Sequence, residues 1–264
     1  MRPADRASNT VVEILAFAVF VRSTRSVRLT PAGELLLGYA RTILHLTEDA
    51  RLRLSGAHGV GRLRVGAAED LSGWLPNILR AFRYDHPDVS IEVEIGIGTS
   101  LFALVDAQAL DLVIGGVCEK PAWGLRLWTQ PLVWAFASDV AVPDPLPLAL
   151  FPAPCPYREA ALRVLASTPL RWHIACTSAS LAGVRAIATA GMAVTPLPAN
   201  AITAGLRILG ENDRLPSLPA VHYLLKMQQD HHRQVVATFS EYCQRAFTSD
   251  GAGHSRKPAP PLRS

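Results

Sequence analysis

The chain has few cysteines, no long apolar run and no signature of a known catalytic centre. Its 264 residues hold four cysteines, Cys118, Cys155, Cys176 and Cys243, none in a C-x-x-C pair. That excludes a disulfide scaffold and argues against a zinc ribbon or a dithiol redox site. The plainest apolar stretch near the start, Ile14 to Val21, is flanked by Glu13 and Arg22. It is too short to span a bilayer, and no small-residue cleavage site of a secretory leader follows it. No G-x-S-x-G, H-E-x-x-H, P-loop or G-x-G-x-x-G stands in context, and Gly96-Ile97-Gly98 is a lone G-x-G. His231 and His232 are adjacent, so on a helix they face different ways and read as solvated rather than as a metal pair. These absences lead to the expectation of a non-enzymatic protein of a reducing cytoplasm, without cofactor, metal or membrane.

Hydrophobic residues make up 49% and charged residues 18% of the chain, enough apolar material for a folded core. The charge is unevenly placed. Residues 1–64 hold ten Arg and five acids, net +5; residues 65–264 hold sixteen Lys plus Arg and seventeen acids, net −1. A basic segment on a neutral body suits a nucleic-acid contact joined to another function. A solvated basic face is the alternative.

Val11 to Phe20 is almost uninterruptedly apolar and reads equally as a helix end or a strand. Arg22, Arg25 and Arg28 follow, spaced among β-branched and hydroxyl residues as in a short hairpin. Thr30-Pro31 is a helix start, with a capping side chain and a proline where no donor is needed. From Ala32 to Leu54 a helix of roughly 35 Å is predicted. Its apolar stripe includes Leu36, Ala40 and Ile43, with Leu37 and Leu44 beside it. Gly56, Gly59 and Gly61 then form a joint.

Beyond the joint, strands and helices alternate. Strands are expected at 63–68, 89–95 and 112–114, with helices around 74–82 and from Thr99 or Ser100. The 89–95 strand alternates apolar and polar residues and belongs at or near a sheet edge. Pro143, Pro145 and Pro147 read as a crossover. A second unit follows, with helices at 157–165 and 181–190 and strands at 172–176 and 193–197. After a crossover at Pro216 and Pro219 come a strand at 221–225 and a helix at 231–247. Residues 248–264 are polar and rich in Gly and Pro, a composition expected to be disordered. The alternation argues a doubly wound α/β architecture.

The stretch from Phe20 to Leu44, FVRSTRSVRLTPAGELLLGYARTIL, resembles the wing and linker helix of LysR-type transcriptional regulators: a Phe-x-Arg start, spaced basic residues, then Leu29-Thr30-x-Ala32-Gly33 before a long helix. Gly61-Arg62-Leu63-Arg64-Val65-Gly66 is similar to the opening of their effector domain. Asp111-Leu112-Val113-Ile114 and Gly191-Met192-Ala193-Val194 are similar to two of its strand regions. The resemblance covers about residues 20–247. It implies a periplasmic-binding-protein-like α/β effector domain of two subdomains around a cleft, preceded by a partial winged-helix segment and a long linker helix. The implied division is 1–31 for the DNA-binding segment (wing 20–30), 32–55 for the dimerising helix and 61–247 for the effector domain. Within that domain, subdomain I covers about 61–140 and 220–247, and subdomain II about 146–215. Only nineteen residues precede Phe20, too few for a three-helix winged core. A recognition helix is therefore not expected, through truncation, start assignment or divergence.

The implied partners are DNA, a second copy of the chain in a dimer or tetramer, and a small polar or anionic effector. Arg22, Arg25 and Arg28 would contact phosphates, which guanidinium groups pair with irrespective of base sequence. Leu36, Leu37, Ala40, Ile43 and Leu44 would form the dimer seam. Ligands of open α/β sheets bind beyond the carboxyl ends of the strands. That places Asp70, Ser72, Thr99, Ser100, Thr177, Ser178 and Thr195 as effector candidates; for the hydroxyl residues, helix capping is the plainer role. Cys155, in Pro152-Ala153-Pro154-Cys155-Pro156, is a candidate redox sensor or an inert thiol. With no basic neighbour closer than Arg158, the inert reading is favoured. A ligand-binding, oligomerising remnant without specific DNA binding is the second reading, and a solute-binding protein the third.

Overall fold

The computed structural model describes residues 18–22, 27–30, 32–33, 36–37, 39–40, 43–44, 47, 62–119, 123–228 and 234–250. The side chains of residues 22, 27, 28 and 248–250 are outside that description. By contact density the chain divides into two units: Met1–Gly59 with Asp106–Ala109, and Val60–Val105 with Leu110–Ser264.

In the first unit, β-branched residues form the expected hairpin. Strands β1 (Phe20–Arg22) and β2 (Val27–Leu29) pair antiparallel, with Phe20 opposite Leu29 and Val21 opposite Arg28. Arg25, and the side chains of Arg22 and Arg28, lie outside the described residues. Thr30 caps the following helix: its Oγ1 accepts the Gly33 N–H at 2.9 Å and donates to the Ala18 carbonyl at 2.7 Å. A Cβ on residue 33 would stand 2.0 Å from the Val19 carbonyl oxygen, so only glycine permits this close start. Every described residue from Ala32 to Thr47 is helical. Leu54 and the three joint glycines lie outside the described residues.

The second unit is built on a mixed sheet of β3 (Arg62–Ala68), β4 (Ser90–Gly96), β5 (Leu112–Val117), β6 (Leu125–Ala137), β9 (Thr195–Pro198), β10 (Leu206–Leu209) and β11 (Ala220–Met227). Their order is β10-β6-β11-β5-β3-β4, with β9 also on β6. A parallel pair, β7 (Leu146–Leu150) and β8 (Trp172–Thr177), joins β9 through a bridge between Leu148 and Val194. The helices are α1 (Leu75–Asp85), α2 (Gly98–Asp106), α3 (Pro156–Ala166), α4 (Leu181–Thr189) and α5 (Gln234–Asp250).

The thirteen-residue β6 explains how two lobes arise from one sheet. Leu125–Pro131 pair with β11, whereas Leu132–Ala137 pair with β9 and β10. Lobe A holds β3, β4, β5, β11 and the first half of β6. Lobe B holds the second half of β6 with β7–β10. Phe82 of α1 packs edge-on against Phe239 of α5 at 4.9 Å on one face of lobe A. Leu101, Phe102 and Val105 of α2 cover the other face against Val113 and Leu224. Trp134, Phe136, Leu148, Leu165 and Val194 fill lobe B.

The sheet is mixed, because β6 and β11 run antiparallel to their neighbours. Pro147 is not crossover but part of β7, a strand with all five residues buried. A proline at a strand's start gives up only one donor. The strands β6, β7 and β10 had no reading in the sequence. β4 is the edge strand, as its alternation implied, yet its apolar face is only partly covered: Val93 and Ile95 are exposed. Residues 248–250 continue α5 instead of beginning a disordered tail; residues 251–264 are outside the described set. His231 and His232 are outside it as well. Among the described residues no helix is long and apolar enough to cross a membrane.

Candidate functional site

β3 ends in a short 3-10 turn, Glu69–Leu71, that carries two carboxylates from lobe A toward lobe B. They are used differently. Glu69 Oε2 accepts the Leu181 N–H at 2.7 Å, and its Oε1 accepts the Ser180 hydroxyl at 3.1 Å. The first turn of α4 exposes unpaired donors and a partial positive charge, and a carboxylate there is favourable on both counts. Asp70 is half-buried and receives two phenols on one oxygen, Tyr157 of α3 at 2.8 Å and Tyr223 of β11. Gln130 of β6 donates to the Tyr223 hydroxyl at 2.8 Å and to Asn200 Oδ1 at 3.0 Å, extending the chain of bonds. Gly116 makes room for it: a Cβ there would lie 2.6 Å from the Tyr157 hydroxyl. A third link between lobes runs from the Thr99 hydroxyl to the Pro154 carbonyl at 3.0 Å.

Burial raises the Asp70 carboxyl above its ordinary value, outweighing the tyrosine hydrogen bonds that lower it. The two phenols are pushed well above the usual tyrosine range, first by burial and then by Asp70, so they remain donors. The native state therefore holds a proton that the unfolded chain releases. Stability falls as pH rises from the ordinary value of 3.8 through the raised native one. Asp70→Asn, which resembles the protonated acid, is expected to remove that slope and to equal or exceed the parent in stability at neutral pH. Urea denaturation between about pH 3 and pH 8 checks this; a variant weaker than the parent throughout that range contradicts it.

Two cavities flank these links. The inner one, about 30 Å³, is lined by Glu69, Asp70, Gly98, Phe151, Tyr157 and Leu181 among others. It has room for water only. The outer one, about 270 Å³, lies between α2, the end of β5 and α3, and is lined by Thr99, Cys118, Glu119, Trp123, Glu159 and Arg163 among others. Among the described residues, neither lining contains a lysine or histidine, and the one cation in them is Arg163.

The effector candidates are thus only partly brought together. Asp70 lines the inner cavity and Thr99 the outer one. Ser72, Ser100 and Thr177 are exposed and line neither. Ser178 does not open α4; its hydroxyl accepts the Ser180 N–H at 3.2 Å within its own turn, and the helix starts after Ser180. Thr195 is buried in β9, and its hydroxyl has no hydrogen-bond partner among the described residues. Cys155 is buried at the start of α3, with its thiol raised by desolvation. Cys118 is pushed up to about 12, first by burial and then by Cys155, the opposite of an activated thiol. Among the described residues no cluster of three or more His, Cys, Asp or Glu is arranged to hold a metal.

Glu69, Tyr157, Tyr223, Gln130, Trp123 and Arg163 were not singled out from the sequence. Glu69 had a signal, standing beside Asp70 at a strand's carboxyl end. The tyrosines had none, since their partner lies 87 and 153 residues away.

The LysR substrate binding domain family matches residues 56–248. The regulator PecT of Dickeya dadantii is 30% identical over 232 residues, which is 86% of this chain and 73% of PecT. DgdR of Burkholderia cepacia is 32% identical over 233 residues, 87% of this chain and 79% of DgdR. Both are HTH-type transcriptional regulators. The fold matches full-length CbnR complexed with its target DNA, with a TM-score of 0.59 at 20% identity, over 92% of this chain and 89% of CbnR. With the basic hairpin, the capped helix and the two-lobed α/β domain in one polypeptide, the chain belongs to the LysR-type transcriptional regulators.

Proposed function

We propose that this chain regulates transcription through a small effector taken up where the two lobes meet. The observation that carries this reading is the set of side-chain bonds spanning the lobes: Glu69 to the start of α4, Asp70 to Tyr157, and Thr99 to Pro154. Each is reversible and borders a cavity. An effector that replaces one of them changes how the lobes are held. The outer cavity is the entry, since the inner one, at about 30 Å³, is too small for an organic molecule. A purely anionic effector fits these two linings poorly, because among the described residues they hold four acidic side chains, Glu69, Asp70, Glu119 and Glu159, and one arginine.

In this reading Arg22, Arg25 and Arg28 bind phosphates, and the helix from residue 32 joins two copies. CbnR, whose fold this chain shares, is seen on its target DNA. Fluorescence anisotropy of the chain on duplex DNA, over a range of salt, tests the DNA contact. The logarithm of the affinity should fall with log salt at a slope of about −3 for each bound chain, three phosphates being neutralised. Replacing all three arginines with Gln should flatten it to near zero. An unchanged slope in the triple variant removes the wing from the DNA contact.

A further inference from the structure

The outer cavity carries an inference about ligand class, which rests on reading this domain as effector-binding. Glu159 and Arg163 stand one turn apart on α3, a spacing at which such residues commonly pair. Here they do not. Arg163 Nη2 reaches instead to Glu119 Oε1 of lobe A at 2.7 Å. The Glu159 carboxylate makes no hydrogen bond or ion pair among the described residues. The Arg163–Glu119 pair is open to solvent, with side-chain exposures of 62% and 73%, so it is weak and easily exchanged. Opposite lies an indole. Trp123 is held by the edge of Phe102 at 4.9 Å and by the Lys226 ammonium at 4.8 Å, so this apolar wall is preset.

We propose that the cavity binds a compact zwitterion with an apolar side chain, a free α-amino acid of medium size. Its carboxylate takes Arg163 in place of Glu119, its ammonium pairs with Glu159, and its side chain lies against Trp123. A simple carboxylate would satisfy Arg163 but leave Glu159 and the displaced Glu119 uncompensated. A simple amine would pair with Glu159 but leave the Arg163–Glu119 bond between the lobes in place. The zwitterion leaves the net charge of the site unchanged and fills about 270 Å³ with a small organic molecule. Because Glu119 belongs to lobe A and Arg163 to lobe B, this exchange also removes a lobe-spanning ion pair.

Isothermal titration calorimetry on the full chain, with L-phenylalanine, 3-phenylpropionate and 2-phenylethylamine as probes, tests this. Phenylalanine should bind at least tenfold more tightly than either analogue, each of which lacks one charge-assisted contact worth about that factor. Arg163→Gln should weaken phenylalanine and phenylpropionate alike by about tenfold. Glu159→Gln should weaken phenylalanine by about tenfold and leave phenylpropionate unchanged. Both side chains are exposed, so neither variant should lose its melting transition. Phenylpropionate binding as tightly as phenylalanine overturns the zwitterion while leaving the effector reading standing. Phenylalanine binding that ignores both variants, or no binding by any probe, overturns the assignment; the DNA contact is judged separately by its salt slope.

Discussion

Asp111→Ala is expected to cost about 3–5 kcal/mol, a large share of the stability of a domain this size. Asp111 precedes β5 and is 1% exposed. Its Oδ2 accepts the Arg64 N–H at 2.8 Å and its Oδ1 accepts Arg64 Nη2 at 2.7 Å. The backbone adds Asp111 N–H to the Arg64 carbonyl at 2.9 Å. The carboxylate thus fastens β5 to β3 ahead of their parallel ladder, which pairs Val65 with Leu112. Removing it leaves a guanidinium that is 11% exposed without its counter-charge, the costly way to break a buried pair. Replacing both partners together, Arg64→Met with Asp111→Leu, should recover most of the loss, because no buried charge then remains. Denaturation of the three variants decides it; a loss under about 1 kcal/mol for Asp111→Ala would show that the pair holds nothing.

The second large effect is on assembly. Within one chain the linker helix presents Leu37, Ile43 and Leu44 to solvent, the last two 63% and 70% exposed, with Leu36 half-buried. An apolar stripe of this kind seeks a partner, and a second copy of the same helix offers a self-complementary one. Leu36→Glu with Ile43→Glu places four carboxylates in the paired seam. With each worth about 2 kcal/mol or more, the dissociation constant should rise by more than about a thousandfold. Sedimentation velocity should show dimers or tetramers in the parent and monomers in the variant. An identical profile for both would move the dimer contact off this helix.

How far the sequence was readable depends on the range of the interactions concerned. The hairpin at 20–29, the Thr30 cap and α1 with its buried Leu75, Ile78 and Phe82 follow from neighbours within a turn or two. β6 did not, because its identity comes from pairing with β11, β9 and β10, all far along the chain. β7 was hidden by Pro147, a residue that usually marks a break. At the site, Asp70 and Thr99 were legible from strand ends. Their partners Tyr157 and Pro154 come from the other lobe and leave no periodic trace. Thr177 and Ser178 misled because a hydroxyl after a strand looks like a cap, whereas the cap of α4 is a carboxylate from residue 69. The expected polar or anionic ligand rested in part on helix starts and their hydroxyls; one of these starts is filled by the protein's own Glu69.

Among the first amides of α4, the Leu181 N–H is the one directed to Glu69 at 2.7 Å, across the junction of the lobes. Its hydrogen exchange, followed by NMR in the parent and in Glu69→Ala, reports whether the lobes are fastened there. The Leu181 amide should be protected in the parent and exchange at an exposed helix-end rate in the variant. Equally fast exchange in both proteins would mean that Glu69 does not hold the lobes together.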